Sequence, residues 1–255
     1  MKAVGAAWAT IIAQAMSVII SIVAIYKMKL VQISLSDLRV DKSLIGNILR
    51  IGVPVCLQDG FIQISFLIIT VIANTRGVEI SAAVGIVEKI ISFLFLVPSS
   101  MLSTISTISS QAIGAGDKAL ARKTLFYGMT IAASIGLLFA ISFQFIAGPV
   151  IGLFTKDMVV VALGVSYIKS YVFDCTVAAF HFCFSGFFVA SGYSYISFIH
   201  NVASIIAIRV PGAYLASVYY PDTLFPMGLA APLGGLLQLV ICLIAYTILR
   251  KKNKI

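Results

Sequence analysis

Seven stretches of the chain are apolar almost throughout, at about 4–26, 49–73, 81–109, 124–146, 159–188, 195–218 and 228–249. A helix that crosses a bilayer needs about 20 predominantly apolar residues, and each stretch meets that length. Polar positions recur every three or four residues rather than every second, so the pattern predicts helices and excludes an alternating β-barrel. The expected fold class is therefore all-α, a polytopic membrane helix bundle of about seven transmembrane helices. Lys2 followed by an apolar run resembles a signal peptide, but the run is too long for a signal core and lacks a convincing cleavage site. It is expected to be a retained span.

The polar positions within the spans fall into stripes. At 100° per residue, Thr10, Gln14, Ser17 and Ser21 share one face of the first span. Asp59, Gln63, Thr70 and Asn74 share one face of the second, and Glu88, Ser92, Ser99, Ser103, Ser106 and Ser110 one face of the third. In the fifth, Asp174, His181 and Ser185 align with Tyr167; the sixth offers Ser197, Asn201 and Ser204; the seventh has Gln238 at its middle. Ser and Thr stripes commonly serve helix–helix packing. Ionisable residues are costlier, because a charge near the centre of a spanning helix costs about 2.5–3.5 kcal/mol. Asp59, Glu88, Lys89, Lys169, Asp174 and Arg209 together form a heavy burden for an inert scaffold. Lys169 is close enough to a span end to snorkel, and Lys89 or Arg209 can pair with an acid. Asp59 and Asp174 lie deeper, where cation or proton coupling competes with a structural ion pair; His181 reads as a buried imidazole or as a member of a proton relay. Pro54, Pro98 and Pro211 fall inside spans and are expected to bend them.

Composition agrees: 60% of residues are hydrophobic, only 11% are charged, and the mean hydropathy is +1.08, against about a quarter charged in soluble domains. That excludes a soluble enzyme. The net charge of +9 is distributed as membrane topology dictates rather than as a nucleic-acid-binding patch. Twelve basic residues lie in the 27–50 connection, the 118–123 connection and the C-terminal tail, whereas Lys2, Arg76 and Lys156 lie on the other side. The C-terminus is expected in the cytoplasm. The organisation reads as 1–27, an isolated helix; 28–50, a cytoplasmic linker partly able to lie as an interfacial helix; and 51–255, a six-helix lobe. Cys56, Cys175, Cys183 and Cys242 sit in apolar runs without a close pair and read as packing residues. No metal-ligand spacing, HExxH or GxSxG motif occurs, and no enzyme or cofactor is expected.

Ser110-Gln111-Ala112-Ile113-Gly114-Ala115-Gly116, followed by Lys118 and Ala121-Arg122, resembles the cytoplasmic GQNxGAG…RA signature of the multidrug and toxic compound extrusion (MATE) transporters. Gly5-Ala6-Ala7-Trp8-Ala9-Thr10 with Gln14 looks like the helix closing that family's first half, and Gly52-Val53-Pro54 with Gln58 like the start of its second. Leu153-Phe154-Thr155 with Asp157 and Tyr167, then Gly186 with Gly192, Arg209-Val210-Pro211 and Gly228 before Ala230-Ala231-Pro232 follow in order.

The resemblance implies two six-helix lobes and cation- or proton-driven export of small organic cations across the cytoplasmic membrane. This chain would supply the last helix of the first lobe and the whole second lobe. The first five helices would be missing, and Met1 looks like an internal methionine or the start of a split or truncated gene. Transport would then require the lipid bilayer plus an N-terminal lobe or a second copy. The family's carboxylate in the second span falls at Gln63 or its neighbour, with Asp59 one turn away; its acidic position in the fifth falls near Ala178, with Asp174 one turn away. The implied coupling-ion site, for Na⁺ or H⁺, comprises Asp174, Asp59, Gln63 and Asn74. The implied substrate cavity comprises Glu88, His181 and Tyr171, with Phe61, Phe66 and Phe173 as further faces for a cation. A truncated non-transporting remnant, a membrane interaction subunit and a lipid-flippase-like fragment of the same superfamily are the alternative readings.

Overall fold

The structure, a computed structural model, describes residues 2–28 and 42–252. Among them the only regular elements are helices, and seven helical segments are long and apolar enough to cross a membrane. The chain divides into two units, Met1–Gly46 and Asn47–Ile255. In the first, α1 (Lys2–Met28) carries exposed apolar side chains all round, among them Trp8, Ile12, Met16, Ile19 and Val23. Such a helix is suited to hydrocarbon or to a partner, not to water.

Helix α2 (Lys42–Asn74) is continuous through Pro54 and begins seven residues before the span read from hydropathy. The end of the expected linker is thus helical. The third span is broken into α3 (Val78–Leu94) and α4 (Leu96–Gly114). Its break has a local cause: Pro98 has no N–H to donate to the carbonyl four residues earlier, that of Leu94. After α5 (Lys118–Gly152), the fifth span is also broken, into α6 (Met158–Tyr171) and α7 (Phe173–Ala190). The sixth runs as α8 (Ser194–Ser204), a π-helical turn (Ile205–Arg209) and α9 (Val210–Tyr219), and the seventh is α10 (Phe225–Lys251). In the π turn the Val210 N–H reaches back to the Ile205 carbonyl, which inserts an extra residue just ahead of Pro211.

Two acids outside the membrane are structural. Asp117 caps α5 by accepting from the Leu120 N–H at 2.8 Å, and Asp157 caps α6 through the Val159 N–H at 2.9 Å. Arg76, between α2 and α3, donates to the Tyr220 and Pro221 carbonyls and so ties that turn to the α9–α10 connection. Gly116 closes the α4–α5 turn with φ of +82°, its N–H bonded to the Ile113 carbonyl. Gly116→Ala is expected to destabilise the purified chain by about 1–2 kcal/mol, because a Cβ strains the left-handed conformation. Thermal unfolding in detergent would read this as a lowered midpoint.

Helix α7 is the pivot of the second unit and packs most extensively on α4 and α5. Close approach depends on glycine: a Cβ on Gly136 would fall 2.7 Å from the Cys175 carbonyl oxygen, and one on Gly186 would collide with the Leu102 carbonyl. Two apolar clusters result. One gathers Val84, Val87, Ile91, Ile151, Ile168 and Leu224; the other gathers Ile105, Leu125, Phe184, Phe187, Phe188 and Cys242. Buried polar side chains collect around α7 alongside them, including Asp174, His181, Ser185, His200, Asn201, Arg209 and Gln238.

Candidate functional site

The polar centre is built from breaks in helices. The interruption at Val172 starts a new helix at Phe173, so Asp174 falls in the first turn of α7, where the positive end of the helix favours a carboxylate. The π turn ends at Arg209 and buries that residue; inserted π turns recur at functional positions. Arg209 Nη2 donates to the Tyr171 hydroxyl at 2.6 Å, and its guanidinium carbon lies 4.8 Å from the centroid of the Phe66 ring. The arginine is thereby held by a charge-assisted hydrogen bond and a cation–π contact in a buried setting.

Asp174, His181, Asn201, Arg209 and Gln238, closed over by Phe66 and Gly235, surround a small cavity of about 30 Å³. Four buried polar atoms around it have no hydrogen-bond partner: Asp174 Oδ1, His181 Nδ1, Arg209 Nε and Gln238 Oε1. Gly235 is required here, because a Cβ at that position would fall 2.7 Å from Asp174 Oδ1. Beyond His181 lies His200, with ring centroids 6.0 Å apart, and His200 Nε2 is 2.9 Å from Ser185 Oγ. Ser185 in turn lines a larger pocket of about 420 Å³ with Gln58, Asp59, Ser92, Ser99 and Ser103. A third pocket, about 330 Å³, is lined by Gln63, Thr70, Glu88 and Lys89. Thr70 Oγ1 donates to Glu88 Oε2 at 3.3 Å.

The residues expected to bind a coupling ion are therefore distributed. Asp174 is in the small cavity, Asp59 in the large pocket and Gln63 in the third. Asn74 is exposed at the end of α2, where its Oδ1 accepts from the Ser81 hydroxyl, and it lines none of these pockets. Of the expected cavity residues, His181 lines the same small cavity as Asp174, Tyr171 is buried against Arg209, and Glu88 is half-buried opposite Thr70. Phe66 stacks on the arginine, whereas Phe61 packs edge-on against Phe198. His200 was not among the expected residues. Its signal was available: it lies three residues after Ser197 and four before Ser204, on the same stripe of the sixth span.

A polytopic helical membrane protein with a buried, hydrated-sized polar centre has the architecture of a transporter lobe. Residues 54–215 match the MatE family, and the chain belongs to it. A curated relative, the probable multidrug resistance protein YoeA of Bacillus subtilis (strain 168), is 21% identical over 218 residues, which cover 86% of this chain and 47% of that protein. The crystal structure of a mutant of the Vibrio cholerae MATE transporter VcmN aligns with a TM-score of 0.87 at 20% identity, over 98% of this chain and 57% of that one. A MOP superfamily transporter from Pyrococcus furiosus, described as having a binding pocket of reverse polarity, aligns with a TM-score of 0.84 at 20% identity, over 98% and 56%. The chain thus spans about half the length of the relatives it matches.

Proposed function

We propose that this chain is the second half of a proton-coupled MATE-type exporter of small organic cations in the cytoplasmic membrane, and that Asp174 carries the exchangeable proton. The observation that carries this reading is Arg209 in the lining of the same cavity as Asp174. A buried carboxylate with a free oxygen suits a coupling group. A fixed guanidinium beside it disfavours any added positive charge, but a proton needs only the free carboxylate oxygen. A metal cation needs several oxygen ligands, which a cavity lined by Arg209 and His181 supplies poorly. Between Na⁺ and H⁺, this favours H⁺. The pocket at Asp59, with Phe95 and Phe182 in its lining, supplies an acidic, partly aromatic surface suited to an organic cation. A rocking exporter needs two lobes around its cavity, so activity is expected only with a first half, from another chain or a second copy.

The test is co-expression with a MATE first half and measurement of ethidium accumulation. Efflux is expected to follow an imposed pH gradient and not a Na⁺ gradient. Asp174→Asn is expected to abolish it and Asp174→Glu to retain part of it. Efflux driven by Na⁺ alone, or unaltered by Asp174→Asn, would remove the proposal.

A further inference from the structure

We propose that protons exchange between Asp174 and the pocket at Asp59 along a buried path formed by Ser185, His200 and His181. The inference rests on the reading of Asp174 as the proton carrier and adds the route. The hydroxyl of Ser185 is the junction: it lines the large pocket and stands 2.9 Å from His200 Nε2, where either atom can donate. The two imidazoles follow edge to face, with centroids 6.0 Å apart and His200 Nδ1 without a partner, so transfer between them requires a ring to turn. His181 then lines the small cavity, and its Nδ1 is buried without a partner, as is Asp174 Oδ1 across that cavity. About 30 Å³ admits one or two water molecules, enough to bridge the last gap. At each step a group takes up a proton on one side and releases another from its opposite side, so no net charge stays in the path.

The surroundings favour a path over a sink. Arg209 from the π turn lines the same cavity as Asp174 and His181, and Tyr171 from α6 is occupied as its hydrogen-bond acceptor. Tyr167 from α6 and Glu88 from α3 are the further titratable groups on the arginine side, and Cys175 adjoins Asp174 on α7. Helix α10 contributes the uncharged Gly235 and Gln238, and α8 adds Asn201 to His200. The path is also held in register: Ser197 Oγ donates to the Ser185 carbonyl at 3.3 Å, and Asn201 Nδ2 to the Ser197 carbonyl at 3.2 Å. On the topology expected from the basic residues, it joins the membrane centre to the cytoplasmic half of the lobe, where α7 ends, the side to which a proton that drives export is released.

The experiment is a rapid pH step on the chain in lipid nanodiscs, followed by infrared spectroscopy of the protonated carboxyl band that Asp174→Asn removes. Ser185→Ala and His200→Gln are expected to slow the rise of that band on the order of 10²-fold, with its final amplitude retained. Ser185→Ala deletes only one hydroxyl, so it remains readable where the histidine variant is less stable, and Ser185→Thr is expected to restore the rate. Unchanged rates in both variants, with the band present, would overturn the path and leave Asp174 as the carrier. Absence of any such band in the unsubstituted chain across the pH range would overturn the carrier itself, and the path with it.

Discussion

Gly186→Val is expected to be among the most destabilising single substitutions in this chain, lowering the thermal midpoint in detergent far more than Gly116→Ala. The added side chain would meet the backbone of Leu102, not the tip of a flexible side chain. Backbone inside a helix cannot move aside alone, so α4 and α7 must separate along their length. Overpacking of this kind costs about 1–3 kcal/mol, and more when the neighbour cannot relax. In lipid, where apolar side chains gain little by leaving one apolar surface for another, close packing is a main source of helix association. The α4–α7 contact is the most extensive in the second unit. Gly85→Ala is the control. A Cβ there meets nothing within 4 Å, and alanine is the better helix former by about 0.5–1 kcal/mol, so the midpoint should hold or rise. Equal midpoints for Gly186→Val and Gly85→Ala would show that α7 does not depend on this approach.

The spans were legible because the bilayer imposes one simple rule on both length and composition. The stripes were legible for a related reason: only helical spacing puts Asp174, His181 and Ser185 on a common side. What the pattern does not carry is where a helix is interrupted without proline. Pro98 marks the break before it, but nothing in Tyr171-Val172-Phe173 announces that a new helix starts there. That break sets Asp174 in a first turn and changes which residues it faces. The π turn is a second case. A uniform rotation of 100° per residue carried through 205–209 misplaces everything beyond it, so Arg209 read as an acid's pairing partner without a cavity to belong to. The same rotation puts Asp59, Gln63 and Asn74 on one side of α2, yet Asn74 lies roughly four turns beyond Asp59, at the helix end, and faces different neighbours. Periodicity fixes direction around an axis. Depth along that axis decides which pocket a side chain enters.

Arg209→Met is expected to cost about 3–5 kcal/mol, the range for removing one member of a buried charge constellation, and Asp174→Asn in the same chain is expected to return part of it. Methionine preserves much of the length and apolar stem of arginine, so the loss should not come mainly from a void. It removes the hydrogen bond to Tyr171 and the contact over Phe66, and it leaves Asp174 without the buried cation that shares its cavity. A carboxylate stranded in that setting must take up a proton or draw in water. Asparagine relieves this cost because it carries no charge, so the two substitutions should be less than additive, with a coupling of about 0.5–3 kcal/mol. Tyr171→Phe separates the contributions: it deletes the acceptor at 2.6 Å but keeps the arginine, and should cost about 1.5–3 kcal/mol, the value of a hydrogen bond to a charged group. Unfolding by a denaturant series in mixed micelles measures the unsubstituted chain and the four variants on one scale. Strict additivity of Arg209→Met and Asp174→Asn would mean that the two side chains do not sense each other, and Arg209 would no longer bear on which cation Asp174 takes.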